Sequence, residues 1–181
     1  TIYGNRFMGC GQMCDGLKRL IVHKSRYDEV IKLLTEKINA KQIGQAIDPA
    51  TELGPLVAER QVQALEIQVE DARAKGATIL TGGKRPTGFD GAYYEPTLLT
   101  GVTKDMKVWT EEVFGPVLPV VSSGTVQEAI ELANDTKYGL GAFVFTTDKE
   151  LMSRVSAQLQ SGMVSQNNLS YIKPYDPFGG Y

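Results

Sequence analysis

Cys14 closes the run Phe7-Met8-Gly9-Cys10-Gly11-Gln12-Met13-Cys14, where glycines give way to an apolar, strand-like stretch. A thiolate is a strong nucleophile near neutral pH, and nearby backbone N–H groups or a helix N-terminus suffice to activate it. A cysteine at such a place has a plain packing role as its alternative, that of a small buried hydrophobe. Two further segments carry groups able to meet a substrate. Glu111-Glu112-Val113-Phe114-Gly115-Pro116-Val117 sets two carboxylates and an aromatic ring on a rigid Gly-Pro corner, and Pro177-Phe178-Gly179-Gly180 presents a ring on a glycine turn. Each has a local alternative: a solvated strand start for the carboxylates, and a turn closing on a core aromatic for the ring. His23, the sole histidine, would be the natural base for a cysteine hydrolase. Nine residues beyond Cys14 on a strand, it reaches the thiol only if the chain doubles back, so it reads as a satisfied strand-end histidine.

The elements that hold these residues follow from periodicity. Leu17 to His23 reads as a buried strand, and Ser25 offers a cap for a helix carrying Tyr27, Val30, Ile31, Leu34 and Ile38 at helical spacing. Val57 to Lys75 reads as a second helix, with Val62, Leu65, Val69 and Ala72 as its apolar stripe and Gly76 as its stop, leading into a strand over Ala77 to Leu80. The glycine-rich stretch Thr81 to Tyr94 reads as an exposed connection. Its Gly82-Gly83-Lys84-Arg85 lacks the earlier glycine and the following Ser or Thr of a phosphate loop. Val117 to Val121 and Ala142 to Phe145 read as buried strands, and Thr125 to Asn134 as a helix whose Thr125 and Glu128 form a reciprocal cap. Asp148 then starts a helix through Leu159, and Gly162 to Ser165 a last strand. Such alternation predicts a single α/β domain over 1–181, a largely parallel sheet covered by helices on both faces, with ligands at the carboxyl ends of strands.

Composition narrows the partners. The chain has 181 residues, 42% of them hydrophobic, which is ample for a core, and a net charge of −2 without a basic stripe. Nucleic acid and anionic membrane are therefore poor partners, and small molecules better ones. No stretch has the length and apolarity of a membrane span and no secretion signal is evident, which reads as a cytoplasmic protein. Cys10 and Cys14 are four positions apart, so a bridge between them would stabilise little and reduced thiols are expected. With His23 they lack a fourth donor, so no metal site is expected. Gly9 to Cys14 also falls short of a dinucleotide-binding turn, because cysteine stands where a small third residue is needed and no strand leads in.

In this order and at these separations, the three segments resemble the aldehyde dehydrogenase superfamily. The resemblance rests on GQxC with Arg19 five residues after the cysteine, on EEVFGPV roughly a hundred residues later, and on PFGG near the end. Leu53-Gly54-Pro55-Leu56, Tyr93 to Leu98, Asn134 to Leu140 and Ser161 to Val164 support it, so it spans essentially the whole chain.

The resemblance implies Cys14 as the nucleophile forming a thiohemiacetal and then a thioester, with its own N–H as one oxyanion donor. It implies Glu112 at the ribose of a nicotinamide cofactor, NAD or NADP, Phe114 beside the nicotinamide, and Phe178 as an aromatic wall for a small-molecule aldehyde. Gln12 and Arg19 resemble supports of the loop. The family's nucleotide-binding domain, with its general-base glutamate and oxyanion asparagine, has no counterpart in these residues, nor has the oligomerisation strand of a homo-oligomeric parent. The chain is therefore expected to be a catalytic domain that is inactive alone. Succinate-semialdehyde dehydrogenases are an alternative within the group, but they typically carry an arginine where this chain has Met8, six residues before Cys14. A non-catalytic protein of the same fold, a cysteine hydrolase, and a redox pairing of Cys10 with Cys14 stand as further alternatives.

Overall fold

The computed structural model describes residues 2–168, 175 and 177–181. They form two compact units, Ile2–Ser122 and Ser123–Tyr181. In the first, helix α1 (Ile2–Phe7) leads through a 3-10 turn (Met8–Gly11) and the Cys14 loop into strand β1 (Leu20–His23), followed by helix α2 (Tyr27–Asn39). Helix α3 (Glu59–Ala74), strands β2 (Thr78–Thr81) and β3 (Thr97–Thr100), the short helix α4 (Lys107–Thr110) and strand β4 (Val117–Ser123) complete it. The strands form a four-stranded sheet in the order β1-β4-β3-β2. β3 runs parallel to β4, with Leu98 opposite Leu118, while β2 is antiparallel to β3. The antiparallel pair follows from its connection: residues 82–96 turn the chain back without a crossover helix, which a parallel neighbour would need.

Sequence pattern explains most of these elements. Val62, Leu65, Val69 and Ala72 of α3 are all at most 1% exposed, so the predicted stripe is the face that meets the core. Each large side chain of such a stripe contributes about 1.5–3 kcal/mol by leaving water. Gly76 follows α3 at φ 96°, a conformation that favours glycine, and so ends the helix. β3 was not expected as a strand. Its Leu98 and Leu99 are both fully buried, so its two faces are apolar and it shows no alternation.

Two boundaries differ from expectation for definable reasons. The first strand begins at Leu20 rather than Leu17, because the Leu17 backbone is bonded to side chains: its N–H donates to Asn5 Oδ1 at 2.7 Å and its carbonyl accepts from Arg6. Ser25 does not cap α2. It lies inside a 3-10 turn (Lys24–Arg26), where its N–H donates to His23 Nδ1, and the helix starts after Arg26 without a side-chain cap.

The second unit carries helix α5 (Val126–Asn134), strand β5 (Gly141–Val144), helix α6 (Lys149–Ser156) and strand β6 (Met163–Gln166). β5 and β6 pair in parallel. Thr125 Oγ1 accepts from Glu128 N–H at 3.1 Å and the Glu128 carboxylate accepts from Gly124 N–H at 2.6 Å, a reciprocal cap displaced by one residue. Asp148 accepts from the N–H groups of Glu150 and Leu151 and starts α6 as predicted. The predicted burial of Ala142 to Phe145 is not found: Ala142, Phe143 and Val144 are half-buried and Phe145 is exposed. A unit this small buries few residues completely. At its C-terminal end the chain passes across Gly139 and Gly162, where a Cβ on Gly162 would run into the backbone of Gly179 and Gly180. Among the described residues, no helix is long and apolar enough to cross a membrane.

Candidate active site

The approach to Cys14 is shaped by three consecutive left-handed residues, Gly9 (φ 58°), Cys10 (φ 56°) and Gly11 (φ 70°). Glycine takes this conformation freely, whereas cysteine does so at a cost. Cys10 is held there by burial and by its thiol, which donates to the Gly54 carbonyl at 3.1 Å; burial pushes that thiol up from its ordinary range, against the pull of this bond. Gly11 needs to be glycine for a second reason, since a Cβ there would meet the carbonyls of Gly115 and Arg6. The Cys14 loop thus lies directly on the Glu111–Val117 segment. Gly11→Ala is expected to destabilise the protein by about 2 kcal/mol or more, read as a melting temperature lower by ~4–8 °C; an unchanged melting temperature would contradict this close approach.

Arg6 binds the two segments together from below. Its side chain is fully buried on α1, and it donates to the carbonyls of Leu17 (3.0 Å), Val113 (3.1 Å) and Gly115. Burial pulls its guanidinium down to about 9, against the attraction of the Glu112 carboxylate. It stays charged at neutral pH. Its Nε is buried without an acceptor among the described residues, so the three carbonyl bonds carry the compensation for its desolvation.

Lys18 joins the same two segments nearer the surface. Its Nζ donates to the Met13 carbonyl at 2.6 Å, pairs with Glu112 Oε1 at 3.2 Å and lies 4.8 Å from the centroid of the Phe114 ring. Burial pushes the ammonium down from its ordinary range, as does the neighbouring Arg6 charge, while Glu112 and Cys14 draw it up. Cys14 itself is exposed and not disulfide-bonded. It sits in a turn between the 3-10 turn and β1, not at a helix N-terminus. The Glu112 side chain is 38% exposed and so open to a ligand hydroxyl, and Phe114 is half-buried, with its carbonyl accepting from Gln61 at 3.3 Å.

The other predicted residues divide by place. Gln12 Oε1 accepts from Val57 N–H at 3.0 Å, tying the loop to the segment before α3, and the Arg19 guanidinium lies 4.4 Å from the Trp109 ring centroid. His23 ends β1 with Nδ1 2.8 Å from Ser25 Oγ. Phe178 belongs to the second unit and is 51% exposed. Arg6 and Lys18 are the residues that sequence reasoning missed. Arginine and lysine are seldom buried, and no spacing marks these two; only the placement of Arg6 in an apolar first helix hinted at it.

In chemical terms, the first unit offers an accessible thiol, a cation bonded to the carbonyl next to it in the chain, and a carboxylate beside an aromatic ring. Such a set suits nucleophilic attack on a carbonyl next to a bound polyhydroxyl ligand.

The family model for the aldehyde dehydrogenase family matches residues 1–181. The chain is 39% identical over 175 residues to succinate-semialdehyde dehydrogenase [NADP(+)] 2 of Schizosaccharomyces pombe, an alignment covering 97% of this chain and 36% of that protein. The crystal structure of succinate-semialdehyde dehydrogenase from Burkholderia pseudomallei superposes with a TM-score of 0.95 at 36% identity, over 99% of this chain and 37% of that one. A betaine aldehyde dehydrogenase double mutant from Staphylococcus aureus, in complex with NAD+, also gives 0.95 at 36% identity, over 99% and 36%. The chain thus spans well under half the length of the relatives it matches. With a family model covering its whole length and neighbours this similar in structure, the chain belongs to the aldehyde dehydrogenase family.

Proposed function

We propose that this chain is the nucleophile-bearing catalytic domain of an NAD(P)-dependent aldehyde dehydrogenase. The observation that carries the reading is the exposed Cys14 thiol on a loop that Lys18 fastens to Glu112 and Phe114. The Cys14 sulfur attacks the aldehyde carbon, a C–S bond forms, and the carbonyl oxygen takes up the negative charge. The N–H of Cys14 serves as one donor to that oxygen. Glu112, half-open and acceptor-rich, fits the hydroxyls of a ribose, and the Phe114 ring fits the edge of a flat heterocycle beside it. When bound, the nicotinamide nucleotide accepts the hydride, which turns the sulfur adduct into a thioester. Water then attacks the thioester carbon, the C–S bond breaks, and the carboxylic acid leaves as Cys14 recovers its thiol.

Phe178 enters on its motif: a half-exposed ring in the Pro-Phe-Gly-Gly segment, which runs without a regular turn, offers apolar surface to an aldehyde's carbon chain. The base that activates water and most contacts to the nucleotide are assigned to residues beyond these 181. Purified alone, the chain is accordingly expected to give no NAD- or NADP-linked aldehyde oxidation and no tight nucleotide binding. Measurable turnover by absorbance of the reduced nucleotide, or saturable binding by calorimetry, would overturn that assignment.

A narrower reading, succinate semialdehyde as substrate, is favoured by the names of two of the relatives above. Near Cys14, Arg6 is fully buried and bonded to carbonyls, Lys18 is engaged by Glu112 and Met13, and Met8 presents an exposed thioether. On that reading the cation for the substrate carboxylate also comes from beyond these residues.

A further inference from the structure

The ammonium group of Lys18 stands where the Cys14 loop and the carboxylate segment meet, and the chemical steps proposed above leave open what it does beyond fastening the two. Nearly all of its surroundings belong to one side or the other. Met13 O, 2.6 Å away, is the carbonyl next to Cys14 in the chain, and Glu112 Oε1 at 3.2 Å and the Phe114 ring at 4.8 Å belong to the opposite segment. A lysine ammonium has three donors and no directional fork, so it can serve a carbonyl and a carboxylate at once. Its side chain is only 22% exposed, which limits screening by water.

We propose that Lys18 is a positioning residue that sets both the reactivity of Cys14 and the orientation of Glu112, so that one cation ties the nucleophile to the carboxylate that receives the nicotinamide ribose. This inference rests on the assignment of Cys14 and Glu112 made above. Holding Met13 O fixes the peptide preceding Cys14, and thereby the direction of its side chain. The ammonium and a negative charge on the Cys14 sulfur attract one another across this junction. The charged and titratable groups facing the ammonium are Arg6 from α1, Glu112 from the segment after α4, and Cys14 from the loop itself. Glu112 therefore competes with the thiolate for the lysine. A ligand hydroxyl that draws the carboxylate away would leave more of the charge to the sulfur, which links occupation of the ribose position to activation of the nucleophile.

The test is alkylation of the protein with iodoacetamide across a pH series, with Cys14 followed by peptide mass and buried Cys10 as internal reference. Lys18→Gln is expected to slow Cys14 modification at neutral pH about three- to tenfold and to move the rate profile toward higher pH. Lys18→Arg, which keeps the charge, restores most of the rate. Glu112→Gln has the opposite sign and accelerates modification, an effect that loss of structure alone would not produce, and it decides the matter should Lys18→Gln fail to fold. The inference is overturned if the Lys18→Gln profile matches the parent, if Lys18→Arg is as slow as Lys18→Gln, or if Glu112→Gln slows the reaction. These results are separate from the fate of the proposed function: that reading fails if Cys14 of the unmodified protein reacts no faster than a cysteine in a short unstructured peptide.

Discussion

On the proposed function, replacing Cys14 with alanine is expected to abolish aldehyde oxidation by a full-length enzyme carrying this domain, lowering kcat by on the order of 10⁴-fold or more, while leaving the melting temperature within about 1 °C of the parent. The two halves of this expectation have separate origins. Activity is lost because the second thiol cannot take over the adduct: Cys10 is buried and bonded to Gly54 O. Stability is retained because the Cys14 side chain is exposed and fills no space in the core. Steady-state kinetics with a nucleotide-saturated full-length enzyme check the first half and a thermal melt the second. Residual kcat above about one per cent of the parent would remove Cys14 from the role of nucleophile.

Arg6→Met has the largest effect on folding. Methionine fits the apolar surroundings and is relieved of the desolvation cost, so a simple argument from hydrophobic replacement would have it neutral or better. The carbonyls decide otherwise. Leu17 O, Val113 O and Gly115 O all accept from Arg6; Gly115 O keeps a second bond, from Val117 N–H at 2.8 Å, so Leu17 O and Val113 O are the two that lose their donor outright. At about 1–3 kcal/mol per orphaned acceptor, less what relaxation and water recover, the expected loss is roughly 3 kcal/mol or more, a melting temperature lower by at least ~6 °C. Arg6→Lys recovers only part of this, because a point charge cannot span three carbonyls as a planar fork does. Urea unfolding of the three proteins checks the order parent, Lys, Met; a methionine variant as stable as the parent would mean that the carbonyls find other donors.

How much of this was legible in the chain depends on whether a residue's role is local. The stripe Val62, Leu65, Val69 and Ala72 could be read because helical period and burial are the same information. Asp148 and the Thr125–Glu128 pair could be read because capping involves residues two to four apart. The family resemblance was legible for a different reason: three short segments recur in fixed order, and the match of the family model over residues 1–181 agrees with it. What escaped was set by partners distant in sequence. Arg6 is determined by Val113 and Gly115, more than a hundred residues away, and Lys18 by Glu112 and Phe114. The late start of β1 belongs with them, since only the fold brings Asn5 and Arg6 to the Leu17 backbone. Ser25 failed as a cap because its hydroxyl pairs with Nδ1 of His23, 2.8 Å away, and not with the first N–H groups of α2.

The passage of the terminal residues across Gly162 bears on how evolution or engineering can tune this domain. Where a peptide backbone is seated against a missing side chain, the position is indexed by an absence, and any substituent larger than hydrogen displaces it as a block. Phe178 stands one residue before that seat, so its ring inherits whatever offset a methyl at position 162 imposes. Size and shape of this aromatic surface can therefore be changed at 178 itself, whereas its height is governed from a glycine sixteen positions earlier in the chain.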